Sequence, residues 1–170
     1  MTALSEWQNF YVIAGSSAGA LIGLQFVVMA LVAGMPRRPD LAQAASVFTT
    51  PTIVHFSAVL LLACGMTAPW LGMAPAAIVW GLTGVAGAVY SLAIALRLRR
   101  QSAYKPFFED WVFHVALPFT AYGVLIASGC AGMQGLRWAL FSAAGASVAL
   151  LLTGIHNAWD TVTYHVFVKQ

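Results

Sequence analysis

The sequence predicts an all-α protein that crosses a lipid bilayer as a bundle of five transmembrane helices. Hydrophobic residues make up 61% of the 170 residues and charged residues only 8%, and the mean hydropathy is +0.82. Soluble domains carry about 25% charged residues. Eight basic and five acidic side chains are too few to cover the large surface of a water-soluble protein of this size.

The second observation is the arrangement of the apolar residues in continuous runs. A transmembrane helix needs about 20 mostly apolar residues, and runs that do not alternate favour helices over barrel strands. Five stretches meet this condition, and a four-span alternative would require one of them to be re-entrant. The predicted spans are residues 10–35, 51–71, 74–96, 111–133 and 138–159.

The residues between the runs support these boundaries. Thr50 followed by Pro51 is typical of a helix cap and a first helical position. Residues 69–75 and residues 131–135 are rich in proline or glycine and predict two tight connections. Five tryptophans lie near predicted span ends, as in an interfacial aromatic belt: Trp7, Trp70, Trp111, Trp138 and Trp159.

The basic residues predict the orientation. With five spans, one side of the membrane receives Arg37, Arg38, Arg97, Arg99, Arg100, Lys105 and Lys169, whereas the other receives only Arg137. The positive-inside rule then predicts an N-terminus outside and a C-terminus in the cytoplasm, as expected for an integral protein of a bacterial inner membrane. The net charge of +3 is small and predicts no nucleic-acid partner.

Small residues in the first span predict close helix packing. Gly15, Gly19 and Gly23 are spaced by four, a glycine zipper that lets another backbone approach. Since the bundle is small, we expect the lipid bilayer and further copies of this chain as partners, the latter in a homo-oligomer. Cys64 and Cys130 are interpreted as two small packed thiols rather than as a disulfide, because nothing in the sequence fixes the distance between them.

Ionisable residues near one predicted end of the bundle form the candidate site. His55, His114 and His156 lie in different spans but at a similar expected depth, ~4–6 Å below the cytoplasmic surface. Asp160 follows His156 by four residues and shares its helix face.

Further polar residues accompany these four. Asn157 lies beside His156, Glu109 precedes the fourth span, and Pro118 removes the helical donor for the carbonyl of His114. Gln25 lies apart in the first span and predicts an interhelical hydrogen bond, although it also counts as a pore candidate.

Three functions follow from this layer. In the leading hypothesis the protein is a small channel or transporter for ions or protons, because intramembrane histidines can change charge near neutral pH. The second is a membrane enzyme or redox subunit in which His55, His114 and His156 bind a metal ion, or two of them bind haem. In the third, the protein is an accessory scaffold without chemistry: the glycine zipper is a docking face, and the histidines only reach toward interfacial water or bond a neighbouring carbonyl. The sequence lacks a nucleophile elbow, a P-loop and a dinucleotide fingerprint, which favours a protein that is not an enzyme.

Overall fold

The computed structural model describes residues 3–33, 39–100 and 107–167, with side chains over residues 3–31, 50–100 and 107–163. Within these ranges the chain is helical and contains no strand. The elements are a 3-10 turn (Ser5–Trp7), α1 (Gln8–Ala33), α2 (Pro39–Thr67), α3 (Met73–Arg100), α4 (Phe108–Trp111), a π turn (Val112–Ala116), α5 (Leu117–Met133) and α6 (Trp138–Phe167).

Within the described residues, five helices are long and apolar enough to cross a membrane, which confirms the all-α fold and the five predicted runs. They are α1, α2, α3, the continuous segment formed by α4, the π turn and α5, and α6. The prediction that a helix begins at Pro51 is wrong, because α2 begins at Pro39 and Pro51 lies inside it. A proline within a helix removes one hydrogen bond, here to the carbonyl of Val47. The preceding residues 41–45 are mostly good helix formers.

Both predicted tight connections are present. After α2, the indole Nε1 of Trp70 donates to the Gly65 carbonyl at 2.6 Å. After α5, Gly135 adopts φ +74°, which glycine reaches without steric cost. The amide of Gly135 then donates to the Gly132 carbonyl at 3.0 Å and the amide of Leu136 to the Ala131 carbonyl at 3.1 Å. These paired bonds form a Schellman motif, so the chain reverses within a few residues.

Helices α3 and α5 pack closely through glycines. A β-carbon on Gly84 would lie 2.8 Å from the Tyr122 carbonyl oxygen, and one on Gly87 would overlap the Tyr122 ring. From the other side, a β-carbon on Gly129 would lie 2.9 Å from the Ala77 carbonyl oxygen. Absent side chains therefore allow the two backbones to approach, as in other membrane helix pairs.

The predicted zipper on α1 is only partly used inside the chain. Gly15 packs against α2, where an added β-carbon would lie 2.7 Å from the Ala63 β-carbon. Gly19 and Gly23 are exposed, and an added β-carbon at either position would meet no atom of the described residues within 4 Å. Two of the three glycines thus face away from the rest of the bundle.

The two cysteines lie on the outer surface of the bundle. Cys64 and Cys130 are both free thiols with exposed side chains. The interpretation of packed thiols is therefore wrong, because α2 and α5 turn these positions away from the core. The core instead contains large apolar side chains, among them Tyr11, Val59, Leu62, Trp80, Leu125 and Leu150.

Candidate functional site

A histidine and two carboxylates meet at the end of the bundle that carries Arg97, Arg99 and Arg100 on α3, the basic end. His156 Nε2 lies 3.1 Å from Asp160 Oδ2 and 3.6 Å from Glu109 Oε1. Asp160 is one turn further along α6, whereas Glu109 comes from α4. The His156 ring stacks on Phe113, with centroids 3.5 Å apart and planes 18° apart. His156 Nε2 makes no hydrogen bond to the described residues, so a protonated imidazole at this position would attract both carboxylates as an ion pair.

The π turn positions the next part of the site. The amide of Leu117 donates to the Val112 carbonyl, five residues back. The next donor in that register would be Pro118, which has no N–H, to the carbonyl of Phe113. Asn157 Nδ2 contacts this Phe113 carbonyl at 3.4 Å. The carbonyl that receives an external donor is thus one residue before His114, because the turn has π rather than α spacing.

His55 and Tyr122 form the deepest polar pair. His55 Nδ1 lies 2.9 Å from the hydroxyl oxygen of Tyr122, and their ring centroids are 5.8 Å apart. Either atom can be the donor, depending on the tautomer of the imidazole. Tyr122 fits here because Gly87 on α3 leaves room for its ring.

The exposed fraction of these side chains decreases from Glu109 at the surface to the buried His55–Tyr122 pair. The side chains of Glu109, Asp160 and His156 are 68%, 49% and 26% exposed, whereas His114, His55 and Tyr122 are 4%, 1% and 0% exposed. His114 lies on the π turn and is near enough to His156, Asp160 and Asp110 to interact with their charges. His55 in turn interacts electrostatically with His114. The described structure therefore brings together six polar side chains from α2, α4, the π turn, α5 and α6.

Several buried polar atoms in the same half of the bundle have no hydrogen-bond partner among the described residues. These are Thr52 Oγ1, His55 Nε2, Tyr90 Oη, Ser91 Oγ and Asn157 Oδ1. Buried polar groups in membrane proteins are costly unless they pair, and they commonly bind water or a transported species. In the opposite half, the described residues include two such atoms, Tyr11 Oη and Trp80 Nε1.

Gln25 does not join this group. It is 5% exposed and lines a cleft between α1 and α6 together with apolar side chains. Its Nε2 has no partner in the part of the chain that the structure describes, so the predicted interhelical hydrogen bond from this atom is not present there.

Sequence reasoning missed Tyr122 and Phe113. A usable signal existed for Tyr122, since His114, Pro118 and Tyr122 are spaced by four and share a helix face. No comparable signal marks Phe113, because its stacking on His156 depends on how α6 crosses the π turn.

Metal ligation has less geometric support. Among the residues that the structure describes, no three histidine, cysteine, aspartate or glutamate side chains form a group able to hold a metal ion. His55, His114 and His156 are therefore not such a group. The metal hypothesis for these residues gains no support from their arrangement.

Helix ends of different spans meet beside the site. The guanidinium of Arg99, near the end of α3, lies 5.7 Å from the ring centroid of Trp111 at the end of α4. A charged and aromatic layer of this kind is typical of a membrane–water interface.

Compared with known proteins, the chain matches no family model, no curated protein and no solved structure.

Proposed function

We propose that this chain is a small membrane channel or transporter for protons or other small ions, with its working residues in the half of the bundle at the basic end. The observation that carries the proposal is the series of six polar side chains whose exposure falls from 68% at Glu109 to 0% at Tyr122. Ionisable groups inside a membrane are costly and mark ion or proton pathways.

The chemistry of the series suits proton transfer. Glu109 and Asp160 can collect a proton at the surface and pass it to His156 Nε2, which lies within 3.6 Å of both. His114 and His55 continue the series inward. At its inner end the His55–Tyr122 hydrogen bond can exchange donor and acceptor, which is the elementary step of a proton relay.

The core of the opposite half is mainly apolar, although Tyr11 Oη and Trp80 Nε1 are buried there without a partner among the described residues. Four leucines are only 0% or 1% exposed: Leu62, Leu125, Leu140 and Leu150. The hydroxyl of Ser147 donates a hydrogen bond to the Ala143 carbonyl of its own helix, at 2.8 Å. This combination of a polar half and an apolar half is what we expect of a path that is closed at one end. Transport then requires a rearrangement of this half.

The orientation belongs to the proposal. Arg97, Arg99 and Arg100 at the end of α3 lie beside the polar series, so the positive-inside rule assigns this end to the cytoplasm and the N-terminus to the outside. A bacterial inner membrane is the location we propose on the same basis. The polar series then faces the cytoplasm.

We also propose that the working unit is a homo-oligomer. Gly19 and Gly23 present an exposed, open strip on α1, and small-residue strips favour contact between membrane helices. Gly19→Leu should reduce the mass of the assembly measured by light scattering in detergent, because the side chain blocks close approach. Gly145→Leu, at an equally open position on α6, should leave the mass unchanged; equal masses for wild type and Gly19→Leu would contradict this contact.

Ion flux in proteoliposomes tests the function. A vesicle with a pH-sensitive dye inside and an imposed potential reports proton entry into wild-type vesicles. The double substitution His156→Ala and Asp160→Asn should reduce this rate about 10- to 100-fold, because it removes the transfer group and one of its partners. A wild-type rate equal to that of empty vesicles would contradict proton transport. The same result with an ion-sensitive dye would contradict the transport proposal as a whole.

A matched control uses the opposite end of the bundle. Glu6 and Arg137 form an exposed ion pair, with 3.0 Å between Glu6 Oε2 and Arg137 Nη2. Glu6→Gln with Arg137→Gln also removes charged groups from a helix end, but outside the polar series. Its flux should equal the wild-type flux, and a comparable loss would show that the effect of the site variant is not specific.

A further inference from the structure

Helix α3 carries an exposed apolar stripe on the side opposite its packed face. Gly84, Gly87 and Ser91 are buried against the bundle. On the other side, six apolar side chains are 46% to 67% exposed: Ile78, Leu82, Val85, Val89, Leu92 and Leu96. Their spacing by three and four residues keeps them on one helix face. In a bilayer this stripe faces the acyl chains of the lipids.

Two arginines flank the end of the stripe. Arg99 and Arg100 follow Leu96 by three and four residues, and both are exposed. With 3.6 residues per turn, they lie one turn beyond Leu96, one on each side of the line of the stripe. The guanidinium of Arg99 lies 5.7 Å from the ring centroid of Trp111, which holds it beside α4.

The length of α3 brings these arginines to the level of the lipid headgroups. Met73 is the first residue of α3, and Arg99 follows it by 26 residues, which is ~39 Å along the helix axis. A bilayer with its headgroups is about 40–45 Å thick. A helix that enters the bilayer near Met73 therefore carries Arg99 and Arg100 among the headgroups of the opposite leaflet, where a tryptophan such as Trp111 is common.

No ion pair joins Arg97, Arg99 or Arg100 to a carboxylate that the structure describes. The described carboxylates have other neighbours: Glu109 and Asp160 lie against His156, Asp110 accepts from the amide of Phe107, and Glu6 pairs with Arg137. An exposed guanidinium can bind a phosphate through two parallel hydrogen bonds. The end of α3 therefore offers positive charge and paired donors to an anion.

We propose that this end of α3 binds an anionic glycerophospholipid, with its phosphodiester between Arg99 and Arg100 and one acyl chain along the apolar stripe. A free phosphate matches the arginines but leaves the stripe unexplained, because only a lipid joins a phosphate to an apolar chain. The lipid carries a net negative charge in this proposal, because the ammonium group of a zwitterionic headgroup is repelled by the arginines. Basic residues beside a membrane helix favour anionic lipids about fivefold each.

Photo-crosslinking in proteoliposomes tests the proposal without any substitution. The vesicles contain either phosphatidylglycerol or phosphatidylcholine with a diazirine in one acyl chain, and mass spectrometry locates the labelled residues. The ratio of phosphatidylglycerol to phosphatidylcholine labelling should be at least about fivefold higher at Leu96 than at Phe141. Phe141 is also exposed and lies four residues after Arg137, whose charge is paired with Glu6. Equal ratios at the two residues would overturn the proposal, because lipid without a preferred site gives that result.

Two variants test the arginines. Arg99→Gln with Arg100→Gln should lower the ratio at Leu96 to that at Phe141, whereas the ratio at Phe141 stays constant and reports an intact fold. Arg137→Gln is the matched control, since it also removes a positive charge from a helix end, and it should leave the ratio at Leu96 unchanged. An unchanged ratio at Leu96 in the double variant, or an equal loss in the control, contradicts the proposed site. None of these results depends on transport.

Discussion

At the scale of single residues, the His55–Tyr122 hydrogen bond makes the sharpest prediction. Tyr122→Phe keeps the ring against Gly87 but leaves His55 Nδ1, at a position 1% exposed, without its partner at 2.9 Å. We expect a loss of about 1–3 kcal/mol in the free energy of unfolding, because a buried polar atom becomes unsatisfied. Equilibrium unfolding in mixed micelles measures this change.

Tyr90→Phe is the matched control for that measurement. The Tyr90 hydroxyl is buried and has no hydrogen-bond partner within the described residues, so its removal should not lower the free energy of unfolding. If both variants lose the same stability, the effect of Tyr122→Phe does not come from its bond to His55.

Some residue contacts were predictable and others were not. Spacing by four placed His156 and Asp160 on one helix face, and the structure brings their side chains to 3.1 Å. Glu109 joins them from a different helix, which sequence spacing cannot show because it depends on the crossing of α4 and α6. The same reason hides the contact of Asn157 with the Phe113 carbonyl.

At the scale of the elements, the contact of α3 with α5 depends on glycines without room for a side chain. Gly87→Ala should lower the free energy of unfolding by about 1–3 kcal/mol, because the new methyl group overlaps the Tyr122 ring. Gly145→Ala, where an added β-carbon meets nothing within 4 Å, should instead raise it by up to about 1 kcal/mol through helix propensity. Unfolding of the two variants under the same conditions gives the signs, and a loss at both positions would contradict the packing argument.

The helices themselves were predictable from their apolar runs, but their ends were less so. Hydropathy marks the membrane-spanning part of a helix, and α2 extends beyond that part to Pro39. The π turn was hidden because proline predicts only a missing donor. A helix can accommodate the missing donor of Pro118 by a kink or by an inserted residue. Which of the two occurs depends on the side chains that pack against Phe113 and His114.

At the scale of the whole molecule, the proposed orientation can be measured directly. In a chain with Cys64→Ser and Cys130→Ser, Gly72→Cys lies between α2 and α3, and Phe107→Cys lies just before α4. A membrane-impermeant thiol reagent should label Gly72→Cys on intact cells, but Phe107→Cys only after the membrane is opened. The reverse pattern would contradict the cytoplasmic position of the polar series.

The number of long apolar helices followed from composition and run length, whereas their neighbours in space did not. Small residues occur on several spans, and the sequence does not distinguish glycines that pack internally, such as Gly84 and Gly129, from those that stay open, such as Gly19 and Gly23. That choice depends on the pairing of large side chains with gaps, which only the assembled bundle shows.

The structure shows the fourth span in the π register, and helix geometry defines what an α register would change. Residues Val112–Ala116 contain one residue more per turn than α spacing needs. Conversion to α spacing would turn the segment before it by about 100° and shift it by about 1.5 Å along the axis. Glu109 would then leave His156, and the carboxylate pair would become a single partner. Such a change of register by one residue would couple the conformation of one helix to the number of charges that face the proposed pathway.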